Sequence, residues 1–127
     1  MKLQTVVTVL GAEVVSRQVD LLEEVQWGAA ADLMSDVLAF ACPDSLLLTG
    51  LTHPQAVRAA DMAGVRAIAF VRAKRPPVET IDLAEELGIP LLRTRYTMYE
   101  ACGLLYQAGL AGQGPCEAPD APKPVGT

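Results

Sequence analysis

The chain has 127 residues, is 51% apolar and 20% charged, and is therefore expected to fold as one globular domain around one core, not as a disordered or fibrous chain. Its net charge of −5 argues against nucleic acid as a general partner. No apolar run is long enough to cross a bilayer and no secretory leader pattern opens the sequence, so the expectation is a cytoplasmic protein without a membrane partner. With aromatics at 5%, the core must be aliphatic and alanine-rich. The three cysteines, Cys42, Cys102 and Cys116, are widely spaced and form no Cys-x-x-Cys pair. No metal site is expected, and Cys42 and Cys102 read as small buried apolar residues, with Cys116 an exposed thiol in the tail.

Residues 3–10 carry Leu3, Val6, Val7 and Leu10 at helical spacing and stop at Gly11, a helix C-cap, although their β-branched content also permits a strand. Residues 12–16 read as a short strand, 17–20 as a turn and 21–27 as a second strand. Gly28 and the three alanines after it predict a tight small-residue turn. A helix follows from Asp32 to about Cys42, with an acid at its positive end and Leu33, Val37 and Phe40, with Met34, Leu38 and Ala41, on one face. Pro43 and Asp44 break it.

Residues 45–49 are the most apolar short run and suit a central strand covered on both faces. Pro54 fits the first turn of a helix capped by Thr52 or His53 and closed at Gly64. Residues 67–71 read as another buried strand. Pro76 and Pro77 open a helix whose inner face carries Ile81, Leu83, Ala84 and Leu87 and which ends at Gly88. Residues 89–93 form the last strand. Thr97-Met98-Tyr99-Glu100 matches a capping box and opens a final helix to about Ala108. Beyond Gly109 the sequence turns Gly-, Pro- and Ala-rich, which predicts a domain over 1–110 and a disordered tail over 111–127. Strands alternating with helices imply an α/β fold, a mostly parallel sheet of four to five strands with helices on both faces, to which the first helix and strand add an antiparallel edge.

The run Gly28-Ala29-Ala30-Ala31-Asp32-Leu33-Met34-Ser35-Asp36-Val37-Leu38-Ala39, together with Leu48-Thr49-Gly50-Leu51-Thr52-His53-Pro54 and Leu87-Gly88-Ile89-Pro90-Leu91-Leu92, resembles the motifs of DRTGG domains in order and spacing. The resemblance covers residues 2–110. It departs at the signature itself, where 22–28 read Leu-Glu-Glu-Val-Gln-Trp-Gly and only Gly28 survives. It implies a fold related to the N-terminal domain of HPr kinase/phosphorylase and an accessory role, because such domains stand beside CBS domains in pyrophosphatases or ahead of phosphotransacetylase domains. It also implies pairing into a homodimer, for which Trp27, Gly28 and Asp32 mark the expected turn and interface.

In a parallel α/β sheet, ligands bind beyond the carboxyl ends of the strands. Read this way, Trp27, Gly28 and Ala29 end one strand, Thr49, Gly50, Leu51, Thr52 and His53 another, and Arg72, Lys74, Arg75, Arg93 and Arg95 the remaining two. Half of the ten lysines and arginines thus gather on one rim, which reads either as an anion site helped by helix N-termini or as solvated loops paired with carboxylates. No Walker or Gly-x-Gly-x-x-Gly loop is present, and no cofactor is expected. His53, the only histidine, reads as a cap more than as a catalytic base. Asp32 and Asp36, four apart, read as helix-start acids ahead of a catalytic pair. Trp27 reads as a packing residue ahead of a stacking platform.

The function expected is a non-catalytic regulatory or interaction module, sensing a nucleotide or other phosphorylated anion at the rim and partnered by a second copy, or by a separate enzyme or CBS-domain protein. The alternative is a small enzyme acting on a phosphorylated substrate through His53 and the basic rim.

Overall fold

Ser45–Thr49 buries all five of its side chains, and Ala67–Phe70 all four. Two adjacent strands of that kind need cover on both faces, and the rest of the chain supplies it. The computed structural model describes residues 1–115. In chain order the elements are α1 (Leu3–Leu10), β1 (Glu13–Val14), β2 (Trp27–Ala30), α2 (Met34–Phe40), β3 (Ser45–Thr49), α3 (Pro54–Ala63), β4 (Ala67–Phe70), α4 (Val78–Leu87), β5 (Leu91–Arg93) and α5 (Met98–Gln107). The five-stranded sheet has the order β1-β5-β4-β3-β2. Every neighbouring pair is parallel except β1 with β5, so the expected α/β fold and its antiparallel addition are both present.

The pleat sorts the core into two layers. Leu46 and Leu48 of β3, Ala67 and Ala69 of β4 and Leu92 of β5 face one side, where Leu3, Val6 and Leu10 of α1 and Ala101 and Leu105 of α5 pack on them. Leu47, Ile68, Phe70 and Leu91 face the other, under Val37 of α2, Val57 and Ala60 of α3 and Ala84 of α4. Phe70 is the largest fully buried side chain. α3 ends on Gly64, at φ 76°, where a side chain would also press on Pro43 Cα at 3.2 Å; only glycine meets both demands cheaply.

The structure corrects the reading of residues 21–31. The strand expected over 21–27 is β2 at Trp27–Ala30, and the stretch expected as a turn is the strand itself. Residues 21–26 are drawn away by α1. Leu3 and Gln4 donate backbone hydrogen bonds to Glu23 and Leu21, at 2.8 and 2.9 Å, and Lys2 bridges Glu24 antiparallel. The helix expected from Asp32 begins at Met34, with Leu33 at its N-cap. Of its expected apolar face only Val37 is fully buried, while Leu33, Leu38 and Phe40 are 59%, 49% and 63% exposed. α4 likewise buries Thr80 and Ala84 and leaves Leu87 partly exposed. Cys42 and Cys102 are half-buried, not fully buried, and Cys116 lies outside the described residues.

Most of the tail expected over 111–127 also lies outside the described residues. Its described part runs beside β2, where Ala111 accepts the Gly28 backbone N–H at 2.9 Å and Leu110 is buried.

Because Phe70 fills the α3/α4 side of the sheet, Phe70→Ala should cost roughly 3–5 kcal/mol. Urea unfolding followed by circular dichroism measures it; a loss below about 1 kcal/mol would show that this side of the sheet is loosely packed.

Candidate functional site

Four parallel strands end on one side of the sheet, and the loops that leave them form a rim. β2 ends at Ala30 and passes through Ala31 to Asp32; β3 ends at Thr49 and passes to Gly50; β4 ends at Phe70 and passes through Val71 to Arg72; β5 ends at Arg93. The rim carries two distinct clusters.

The first joins Asp32, Thr49, Gly50 and Arg72. The Gly50 backbone N–H donates to Asp32 Oδ1 at 2.6 Å, and the Thr49 hydroxyl donates to the same oxygen at 3.2 Å. Thr49 is fully buried, and its hydroxyl in turn accepts the Leu51 N–H at 3.2 Å. The Arg72 guanidinium lies 4.0 Å from Asp32 Oδ2 with both side chains about half exposed, so this pair contributes less than about 1 kcal/mol. The bare Gly50 lets the Arg72 guanidinium lie close against it; a side chain there would push that guanidinium aside and sit 3.4 Å from Asp32 Oδ1.

Arg72 and Ala73 both adopt the left-handed conformation, at φ 59°. Side chains disfavour it by roughly 1–2 kcal/mol per residue. The loop after β5 holds them there. Arg72 N donates to Tyr96 O and Ala73 N to Thr94 O, both at 2.8 Å, and Arg93 Nε donates to Ala73 O at 2.9 Å.

The second cluster is centred on Glu13. Antiparallel pairing of β1 with β5 sets Glu13 opposite Arg93. Its Oε2 accepts Arg93 Nη1 at 2.8 Å and Arg75 Nη2 at 3.4 Å. The Arg93 hydrogen bond, followed by the charge of Arg75, holds the Glu13 carboxyl below its ordinary range. Glu13 was not legible as a rim residue, because only the register of β1 on β5 reveals it; its signal is an opposite-charge pair across neighbouring strands.

The remaining sequence candidates are distributed as follows. Lys74, Arg75 and Arg95 are exposed on the loops after β4 and β5. Thr52 is half-buried, and its carbonyl accepts the Thr80 hydroxyl at 2.6 Å, which ties α4 to the loop ahead of α3. His53 occupies the α3 N-cap, exposed, and its side chain makes no capping bond. Thr97 does cap α5, accepting the Glu100 N–H at 3.4 Å.

Trp27 and Gly28 were expected at a strand's carboxyl end. β2 begins at Trp27, whose register partner is Ser45 at the amino end of β3, so Trp27 lies a strand's length from the rim. Asp32, expected as a turn or interface residue and helix-start acid, belongs to the rim. Asp36 alone is a first-turn acid of α2. Burial raises the thiol pKa of both Cys42 and Cys102, the opposite of what an activated nucleophile needs.

Chemically, the rim carries a backbone donor and a hydroxyl donor, both engaged by Asp32, the exposed cations Arg72, Lys74 and Arg95 on its loops, and the N-terminus of α3. That donor set suits an anion.

No family model matches the sequence, and no curated protein matches it significantly. Among solved structures, the chain is similar to the CBS and DRTGG domains of the regulatory region of Clostridium perfringens pyrophosphatase, complexed with activator, diadenosine tetraphosphate. The TM-score is 0.65 at 20% identity, over 84% of this chain and 46% of that one. The likeness is therefore one of fold, and the chain spans less than half of the neighbour's length.

The Glu13 cluster generates a pH signature. A carboxylate with a depressed folded pKa contributes stability above its unfolded pKa and loses it as pH falls through the folded one. Glu13→Gln should therefore lower Tm at pH 7. The gap from wild type should persist down to the ordinary glutamate pKa of about 4.3 and close only below it. Scanning calorimetry across pH checks this; a gap that does not vary with pH would mean that Glu13 acts through packing alone.

Proposed function

The chain has the fold of a DRTGG-like domain, and on that premise we propose that it is a non-catalytic regulatory module which senses an adenine nucleotide or another phosphorylated anion at the carboxyl rim of its sheet. The observation that carries this reading is the convergence of Gly50 N–H, Thr49 Oγ1 and Arg72 on an oxyanion, here the carboxylate of Asp32, with Lys74 and Arg95 on the neighbouring loops and the N-terminus of α3 on the same side. The neighbour of like fold is a regulatory region complexed with a dinucleotide activator, which supports the same reading. Arg75 and Arg93, held by Glu13, shape the rim, while His53 and Thr52 line the approach from α3. The module acts on a separate enzyme or a CBS-domain protein.

The test is calorimetric titration of ATP, AMP and diadenosine tetraphosphate. Binding should weaken as salt rises, because the rim is exposed. Arg72→Ala with Lys74→Ala should abolish it at unchanged Tm, since surface changes alter stability by only about 0.5 kcal/mol. Arg93 is left intact, because it also holds the Ala73 carbonyl. Phosphorus spectra of the recovered nucleotide should be unchanged; steady hydrolysis would favour the small-enzyme reading. If none of the three binds, the rim is a solvated edge.

We further propose that the module is a homodimer. Leu38 and Phe40 of α2 and Tyr106 of α5 are exposed on opposite faces of the sheet beside β2, whose own edge is lined by residues 110–112, so these exposed helix residues are the pairing surface. Light scattering at tens of micromolar should give a dimer mass, and Phe40→Glu should give a monomer. A monomer for the wild type would count against the pairing.

A further inference from the structure

In the first rim cluster a carboxylate of the chain itself is the bound oxyanion. Asp32 Oδ1 takes the Gly50 N–H at 2.6 Å and the Thr49 hydroxyl at 3.2 Å, and Arg72 stands 4.0 Å from the second oxygen. A backbone N–H, a hydroxyl and a guanidinium around one oxyanion are the contacts that a phosphate oxygen would make. We propose that Asp32 is an internal occupant of this seat, and that a ligand phosphate binds there by displacing it. The inference rests on the anion-sensing reading of the rim and adds how that site is regulated.

Three features support displacement over a fixed structural bond. Asp32 lies outside both flanking elements, between β2 and α2, so its side chain can leave without breaking a strand or a helix. Its side chain is half exposed, which gives a ligand lateral access. The seat itself is rigid: Thr49 is fully buried, and Arg72 is anchored through its backbone to Tyr96.

A ligand then meets two handicaps. It must enter a seat that is free only for the fraction of time Asp32 is out, which lowers its apparent affinity by that fraction. It must also approach a like charge. The loop 31–33 runs directly into α2, so the seat is joined to the face proposed for the second copy.

The experiment compares wild type with Asp32→Ala and Asp32→Asn by ATP titration, together with the Gly50 amide signal in proton–nitrogen spectra. Asp32→Ala should bind ATP roughly tenfold or more tightly, because hydrogen bonds to a charged group are worth that much. Asp32→Asn keeps an acceptor for Gly50 and Thr49, so it should fold even if the alanine variant does not, and should bind with intermediate affinity. In free Asp32→Ala the Gly50 amide should move upfield, and ATP should return it downfield.

If wild type binds ATP through Arg72 but neither variant binds more tightly, the anion site stands and the internal occupant falls. If the variants bind more tightly while the Gly50 amide ignores ATP, the gain is general charge removal and the proposal is again overturned. If no protein binds ATP, the anion-sensing reading fails and this inference with it.

Discussion

β3 and β4 bury every side chain they have, and that one constraint organises the molecule. A strand pair with no wet face needs helices on both sides, and the chain provides them by laying the crossover helices α2, α3 and α4 on one face and the terminal helices α1 and α5 on the other. Parallel strands end together. The loops leaving β2, β3, β4 and β5 therefore meet on one rim whether or not they carry chemistry. The uneven pleat of β4, alanine towards α1 and α5 and isoleucine and phenylalanine towards α3 and α4, sets how closely each helix layer approaches. The rim is thus a by-product of packing that loop residues can use.

On that rim, strain and charge are arranged together. Two successive left-handed residues, Arg72 and Ala73, are unfavourable in isolation and are held by three hydrogen bonds involving Thr94, Tyr96 and Arg93. The loop after β4 is therefore tied to the loop after β5. Glu13 adds the far edge strand to the same assembly by engaging Arg93 and Arg75. The bare backbone of Gly50 leaves room for the guanidinium of Arg72 beside β3.

The sequence discloses elements better where the chain is buried than where it is covered from one side. β3, α3, β4 and the end of α4 stand where periodicity, Pro54, Gly64 and Gly88 put them, because burial on both faces leaves an unbroken apolar signal. The stretch 21–31 misled for a physical reason. Leu21 and Val25 carry strand-like apolar character, yet their backbone groups are taken by residues 1–4, while the strand proper is made of Trp27, Gly28 and two alanines that propensity assigns to a turn. The apolar residues of α2 read as one buried face, yet only Val37 is buried there and Leu33, Leu38 and Phe40 are exposed. At the rim, the arginines were legible from position alone. The partnership of Glu13 was not, since it depends on an antiparallel register, nor was the turn of Asp32 back towards β3, since it depends on the fold closing.

Trp27 has a consequence of another kind. It is the chain's only tryptophan, half-buried at the amino end of the edge strand, a strand's length from the rim. Its indole emission is therefore a built-in optical reporter for the β2 edge alone. Colour and intensity register what covers that edge, while an anion seated at the opposite end of the sheet leaves the indole's surroundings untouched unless the two ends are mechanically linked. Tryptophan emission of the unlabelled protein thus reports on the β2 edge and not on the rim.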